Sequence, residues 1–458
     1  MRTKRVPFGV AVGAALALVS QRAWAEELSA ESAADRAVRA SYEAAAARSA
    51  GRSAQARVDD ASYAFLPRLG LSARYVRLSD FTPSPLFPFA IAATGAPTGT
   101  VSPPTVSTGP VSIAPILDSY ALDATLTLPV SDYVLRLARG LQAAKHGRDA
   151  VEWDSVVAAA RARLAGKISF YEWIRANASV DAAQRSLAEA RAHLADVKNQ
   201  FGQGNTSRAD VLRVDSAAAL AEAGAQRATA EARLRTLLHL PEAEPLSTRD
   251  GVSAPLGLIA QNEAEWLSEA YRTRAELHGL DTAESSARAQ AGVARAAYVP
   301  TAGVFANATY ANPNPRYFPP EAAWHATWAV GVSITWTPTD IAGAQAGATE
   351  ADARGDALAA QRNALRDALA VEVVQHLESA RAAEAKVATD RQLESASEAY
   401  RVTRSLYANA RATTSNVLDA EADLARARLA WVNARVDARV ARARLEHAAG
   451  RDQTAVAS

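Results

Sequence analysis

The chain contains an internal repeat in which one phrase turns a long helical stretch back on itself. The first copy is the run FGQGNTSRADVL at 201–212, and the second is YANARATTSNVL at 407–418. A repeat constrains architecture more firmly than local propensity does, because each copy folds into an equivalent unit. The sequence therefore predicts two structural repeats, 26–247 and 248–458. Each is expected to run helix, strand, strand, long helix, turn, helix.

Residues 1–25 have the pattern of a secretory signal peptide. Three of the first five residues are basic, an apolar run follows, and Ala23-Trp24-Ala25 is a small-x-small cleavage site. The chain has no cysteine, which excludes disulfides, thiolate zinc sites and thiol catalysis. Export without disulfides is typical of a Gram-negative envelope protein. No later apolar run reaches the roughly 18 residues of a transmembrane helix, so a membrane crossing here requires a closed β-barrel.

The distribution of proline predicts where the long helices lie. None of the 20 prolines falls between Pro129 and Pro241 or after Pro338, and proline is the residue that most strongly breaks a helix interior. The clear stretches are rich in alanine, leucine, arginine and glutamate, which favour helix. Long helices are expected at 132–200 and 340–406, each about 100 Å long at 1.5 Å per residue. Turns are expected at 202–206 and 408–412.

The proline-rich segments between the helices alternate with period two and predict strands. The pairs are 65–78 with 119–129 and 299–311 with 323–337. One face of these strands is apolar with aromatic residues near the ends, which is the pattern of a membrane barrel. The same alternation also fits a half-buried strand in a soluble sandwich. The residues expected to face lipid are Trp324, Trp328, Val330, Val332, Ile334, Trp336, Tyr120, Leu122, Leu126 and Leu128.

Four strands cannot close a barrel that has a lumen, so the strand count predicts that several copies share one sheet. The connection at 79–117 is rich in Pro, Ser, Thr and Gly and is expected to be a long loop, with a shorter one at 312–320. The predicted fold class is mixed α+β, dominated by long α-helices.

At this point the sequence resembles the TolC-like outer membrane efflux proteins, the outer membrane factor family. The resemblance covers nearly all of the chain after residue 25. It depends on the strand entries Leu66-Pro67 and Val299-Pro300, on the segments 234–241 and 274–277, and most of all on the paired turns.

The resemblance implies a homotrimer whose twelve strands, four from each protomer, form one β-barrel in the cell outer membrane, in contact with its lipid. An α-helical barrel continues it through the periplasm. Such a protein is a passive exit duct of a tripartite efflux pump or a type I secretion system. Its partners are a periplasmic adaptor (a membrane fusion protein) and an inner-membrane pump.

The resemblance also implies that the helix turns form the periplasmic entrance of the tunnel. Acidic residues narrow it there, and the matching positions for entrance and selectivity are Asp210, Asn416 and Asp419. The tips where an adaptor docks correspond to Gly202, Gly204, Asn205, Ala410 and Arg411. Two positions depart from the family: Ala410 stands where glycine is usual, and Asn416 where an acidic residue is common. An alanine at 410 either avoids a positive φ or adopts it with strain. An exposed aspartate at a helix terminus is also consistent with an ordinary cap.

No motif in the sequence indicates catalysis. The seven histidines are scattered, and no phosphate-binding glycine loop or nucleophile elbow is present. We therefore expect no enzyme activity, no cofactor and no metal site. Acidic and basic residues interleave along the chain, so no nucleic-acid partner is expected. The alternative is a periplasmic coiled-coil adaptor or structural protein without a membrane barrel. That alternative does not explain the apolar, lipid-type faces of 120–128 and 324–336.

Overall fold

Helices form most of the protein in the computed structural model, which describes residues 27–80, 86–92, 106–111, 115–202, 218–242, 245–248, 251, 256–257, 259, 262–388 and 391–453. The predicted signal peptide and the first helix turn at 202–206, apart from Gly202, lie outside these residues. In chain order the helices are α1 (Ala30–Ala40), α2 (Tyr42–Tyr63), α3 (Ala138–Gly202), α4 (Ala218–Leu238), α5 (Glu263–Thr273), α6 (Ala275–Arg295), α7 (Asp340–Ala388), α8 (Gln392–Ala408) and α9 (Thr414–Ala448).

The longest helix, α3, has 65 residues, which corresponds to about 98 Å. A π-helical segment, Tyr133–Leu137, leads into it. The second long helix was expected to be continuous over 340–406. The structure instead ends α7 at Ala388 and begins α8 at Gln392, with Arg391 outside helical geometry at ψ 4°. No described helix is both long enough and apolar enough to span a membrane.

The shorter helices are interrupted at equivalent places in the two halves. The sequence predicts uninterrupted helices at 27–64 and 260–297, but each is divided by one extended residue. Ser41 (ψ 121°) separates an 11-residue helix from a 22-residue helix, and Arg274 (ψ 115°) separates 11 residues from 21. The matching interruptions agree with the internal repeat. The predicted repeat boundaries themselves remain a prediction.

The strands form one four-stranded antiparallel sheet with the order β1-β4-β5-β6. Its members are β1 (Arg68–Arg77), β4 (Asp118–Leu128), β5 (Thr301–Asn312) and β6 (His325–Thr335). The segment 79–117 was predicted as an irregular loop. It contains a separate two-stranded hairpin, β2 (Leu86–Ala92) paired with β3 (Val106–Val111). The hairpin does not follow from the sequence pattern, because prolines at 88 and 110 interrupt both runs.

The chain divides into two compact units, and each takes segments from both repeats. The first unit comprises Met1–Ala45, Ala158–Thr273 and Leu369–Ser458, and the second comprises Ala46–Val157 and Arg274–Ala368. The second unit holds the four-stranded sheet. The first holds three clusters of buried apolar side chains between helices.

Close helix packing in the first unit depends on small residues. In one cluster, Phe170, Trp173 and Leu234 pack against alanines of α1. A Cβ on Gly166 would lie 2.8 Å from the carbonyl oxygen of Ala33, closer than real Cβ contacts. Helix α1 can therefore approach α3 this closely only because residue 166 is glycine.

Candidate functional site

The four-stranded sheet has one apolar face, and its register shows how that face is assembled. Leu122 pairs with Ala73 on one side and with Tyr310 on the other, and Val330 pairs with Ala306. Residues that pair across an antiparallel ladder share a face. The face is completed by Leu69, Leu71, Tyr75, Tyr120, Ala124, Leu126, Leu128, Val304, Ala308, Ala326, Trp328, Val332 and Ile334.

Most of the large side chains on this face are exposed, from 39% for Val304 to 76% for Trp328. The sheet places the sequence-predicted strand residues together, although Leu128 is only half-exposed and Trp324 and Trp336 lie just outside β6. Contiguous apolar surface of this kind marks an interaction with lipid or protein. The assignment of these residues to lipid remains a prediction.

Aromatic rings line one end of the apolar face. Tyr75 and Tyr120 have ring centroids 5.0 Å apart, Tyr120 and Trp324 are 6.0 Å apart, and Tyr310 and Trp324 are 4.8 Å apart. Beside them the Arg77 guanidinium donates to both oxygens of Asp118 at 3.0 Å. Tyr and Trp belts at this position are typical of membrane–water interfaces. The sequence analysis did not assign Tyr75 and Tyr310, because their pairing with Trp324 depends on strand order and register.

The opposite face of the sheet is mainly polar. It contains Ser72, Asp123 and Thr309, and the Thr309 hydroxyl donates to the Asp123 carboxylate at 2.6 Å. This face also carries the aromatic side chain of Phe305, whose ring lies over Gly331 with atoms 2.8 Å from where a Cβ would be. Glycine at 331 therefore provides the space for the ring. A sheet with one apolar and one polar face is typical of a β-barrel that separates hydrocarbon from water.

The second helix turn lies at residues 409–413, close to the predicted 408–412. Ala410 has φ 57°, so the strained alternative is the one the structure adopts. The Arg411 N–H donates to the Leu406 carbonyl at 2.8 Å and the Ala410 N–H to the Tyr407 carbonyl at 3.0 Å. This pair of hydrogen bonds is a Schellman motif, in which glycine is the usual left-handed residue.

Helix α9 begins after the turn with a reciprocal cap. The Asn416 N–H donates to the Thr413 hydroxyl oxygen at 3.3 Å, and the Thr413 N–H donates to Asn416 Oδ1 at 3.0 Å. Asn416 therefore takes the role that Glu or Gln has in a capping box. Its side chain is engaged in holding the helix start, which gives a structural reason for the departure at this position.

The predicted entrance residues differ in their exposure to solvent and in whether they belong to the described part of the chain. Asp419 is exposed, and its carboxylate forms no hydrogen bond or ion pair with any residue of the described ranges. Arg411 is also exposed at the tip of the turn. Gly202 is the last residue of α3, whereas Gly204, Asn205 and Asp210 lie outside the described residues. The structure thus presents one of the two candidate carboxylates to solvent.

The turn is held by a buried cluster that the sequence analysis did not identify. Tyr407 packs edge-on against His193 with centroids 5.5 Å apart, and Val197, Val417 and Leu424 complete the cluster. His193 is 2% exposed, and its Nδ1 lies 3.3 Å from a carboxylate oxygen of Glu421.

The Glu421 carboxylate also receives a long hydrogen bond from the Tyr400 hydroxyl, at 3.4 Å. Burial, followed by the negative charge of Glu421, raises the pKa of Tyr400 above its ordinary value. The phenol therefore stays neutral and remains a donor. No spacing in the sequence indicated this group, because its members come from three helices.

Comparison with known proteins agrees with this geometry. Residues 266–451 match the family model described as outer membrane efflux protein. The sequence matches none of the curated proteins. The fold is similar to the solved structure of CusC, with a TM-score of 0.73, 16% identity and coverage of 93% of this chain and 92% of that one.

Two further structures have the same fold. The outer-membrane channel OprN matches with a TM-score of 0.71 and 20% identity, covering 92% of this chain and 89% of that one. The MtrE outer membrane channel of Neisseria gonorrhoeae matches with a TM-score of 0.70 and 19% identity, covering 92% and 88%.

Residues 266–451 therefore match an outer membrane efflux protein domain, and the chain has the fold of these solved outer-membrane channels, with a small antiparallel sheet and long helices. The resemblance and the fold class predicted from the sequence are confirmed. The outer membrane efflux proteins and these structural neighbours are passive outer-membrane channels with periplasmic helical extensions and not enzymes, which agrees with the predicted localisation.

Proposed function

We propose that this protein is the outer-membrane exit duct of a tripartite efflux pump or a type I secretion system. It works as a homotrimer and carries small molecules or exported substrates out of the periplasm. The observation that carries the proposal is the two-faced sheet, with an exposed apolar face on strands of 10 to 12 residues. Strands of about this length cross a bilayer when tilted.

The trimer follows from the edges of the sheet. Strands β1 and β6 each have one neighbour in the described sheet, so each has an unpaired edge. Hydrocarbon supplies no hydrogen-bond partners for these edges, and closure with neighbouring copies satisfies them. Extraction from outer membranes only by detergent, as a trimer that conducts ions in a planar bilayer, is the expected result. A soluble periplasmic monomer would support the coiled-coil adaptor instead.

We further propose that the turn at 409–413 lies at the periplasmic entrance and docks an adaptor, which in turn contacts an inner-membrane pump. Support comes from the exposed tip residues Ala410 and Arg411 and from the exposed Asp419 carboxylate. Copies of one carboxylate around a narrow pore attract cations and repel anions. Energy for transport comes from the pump, because a duct of this kind has no site for chemistry.

Asp419→Asn tests the entrance. We expect this variant to reduce cation selectivity, measured as the reversal potential across a salt gradient in single-channel recordings. Asp437→Asn is the matched control, since it removes the same charge from the same helix, where Asp437 pairs with Arg175 at 2.6 Å. It lies 18 residues further along α9, about 27 Å away. Equal shifts in both variants, or no shift in Asp419→Asn, would rule out Asp419 as an entrance filter.

A further inference from the structure

The polar face of the sheet carries an unequal charge. Arg68 and Arg74 lie on this face of β1, where they pair in register with Thr127 and Ala121. The carboxylate on the same face is Asp123 of β4. Among the residues of the four strands, this face therefore has two guanidinium groups for one carboxylate. Arginine keeps its charge at any physiological pH.

The surroundings of these groups leave the positive charges open to solvent. Arg68 and Arg74 are exposed, and neither side chain forms a hydrogen bond or ion pair with a residue in the described part of the chain. Asp123 is engaged by the Thr309 hydroxyl at 2.6 Å. Arg77, on the apolar face, differs from both because Asp118 neutralises it at 3.0 Å.

We propose that Arg68 and Arg74 make the interior of the barrel electropositive, so that its outer-membrane part favours anionic solutes. This inference rests on the proposed function, since it requires the polar face to line a water-filled lumen. Each copy in a closed barrel contributes the same excess of positive charge, and the low-dielectric wall of the barrel focuses the electric field into the lumen. The preference is opposite in sign to that expected of the Asp419 entrance, so the two sites discriminate between ions separately.

The field in a wide lumen depends strongly on salt. Screening acts over about 8 Å at 0.15 M ionic strength and about 30 Å at 0.01 M. The effect of the two arginines is therefore expected to be large in dilute buffer and small at physiological salt. A preference caused by charge therefore weakens as the ionic strength rises, whereas a preference caused by the size of the lumen does not depend on ionic strength.

The absence of cysteine allows a direct test, because one introduced thiol is the sole reporter. Thr125→Cys places it on the polar face, paired with Gly70 on one side and Asn307 on the other. Leu126→Cys is the matched control on the apolar face of the same strand. Rates of labelling by an anionic and a cationic methanethiosulfonate are measured on protein in outer-membrane vesicles. Each rate is divided by the rate for a free thiol.

At 0.01 M ionic strength we expect the anionic reagent to label Thr125→Cys at least about threefold faster than the cationic one, as a potential of this order produces. Adding Arg68→Gln and Arg74→Gln should bring the ratio to one or below, because Asp123 then remains. Adding Arg74→Lys, which keeps the charge, should leave the ratio high. If the double variant does not assemble as a trimer, Arg74→Gln alone should lower the ratio by an intermediate amount.

The outcomes separate this inference from the proposed function. The electropositive lumen is overturned if the ratio of anionic to cationic labelling at Thr125→Cys is near one. It is also overturned if the arginine substitutions leave that ratio unchanged. Neither result contradicts the proposed channel. In both cases Leu126→Cys stays unlabelled, because lipid covers it. Equal labelling of Thr125→Cys and Leu126→Cys by these water-soluble reagents would show that both faces are wet, and the membrane barrel itself would then be wrong.

Discussion

Replacing Ala410 by glycine should stabilise the turn at the proposed entrance. Ala410 has φ 57° and closes α8 through the Arg411 N–H to Leu406 and Ala410 N–H to Tyr407 hydrogen bonds. The left-handed region costs a non-glycine residue roughly 1–2 kcal/mol. Glycine avoids this cost but loses about 0.5–1 kcal/mol through its freer unfolded chain. The difference is a net stabilisation of about 1 kcal/mol for Ala410→Gly.

Hydrogen exchange at the Arg411 amide measures this difference, because that N–H forms the hydrogen bond that closes the motif. About 1 kcal/mol corresponds to exchange about fivefold slower, where local opening limits the rate. Ala408→Gly is the control, since Ala408 is the last residue of α8 and has ordinary helical geometry. That variant should exchange faster, because glycine weakens a helix by about 0.5–1 kcal/mol.

Two results of the exchange experiment would contradict the expected strain at Ala410. If the Arg411 amide exchanges at the same rate in Ala410→Gly as in the wild type, the left-handed alanine carries no strain. If both glycine variants exchange faster, the turn does not depend on the Schellman motif.

Three further predictions concern the helices of the first unit, all measured as unfolding free energy in detergent. Gly166→Ala should lose about 1–2 kcal/mol, because the new Cβ meets the Ala33 carbonyl at 2.8 Å and overpacking outweighs the helix propensity of alanine. Gly224→Ala, with open space around it, should instead gain up to about 1 kcal/mol, and a gain in both variants would contradict the packing argument. Gly450→Ala should lower the unfolding free energy, since Gly450 has φ 79° and Thr273 Oγ1 lies 2.5 Å from the new Cβ. An unchanged unfolding free energy would contradict the strain expected at this position. Asp452→Asn should lose about 3 kcal/mol, because it leaves the buried Lys167 ammonium, now 3.0 Å from Asp452, with less compensation.

The last variant also makes a prediction about pH. Burial raises the pKa of Asp452, but the His447 imidazole at 3.6 Å and the Lys167 ammonium at 3.0 Å together lower it below its ordinary value. A lowered folded-state pKa means that the stabilisation is complete above the unfolded-state pKa and is lost as pH falls through the folded value. Wild-type stability should therefore decline in acid more steeply than that of Asp452→Asn. Parallel acid curves would contradict the assignment.

The sequence by itself determined the features that depend on period and composition. Alternation over 120–128 and 324–336 gave the two faces of the strands, since neighbouring side chains in a strand point to opposite faces. Long runs without proline gave the helices, and the repeated turn gave two equivalent halves. These are local properties, and a pattern of side chains along the chain is sufficient to predict them.

Tertiary structure alone decided which side chains meet. The strand register brings Tyr75, Tyr120 and Trp324 together. It also places Arg77 in an ion pair with Asp118, whereas the side chains of Arg68 and Arg74 remain exposed to solvent. Strand order and helix packing join residues far apart in sequence, such as His193 and Glu421. The long helix is also interrupted at Arg391, and no proline or glycine lies near this residue. Each of these depends on the free energy of contacts between separate elements, which no local pattern contains.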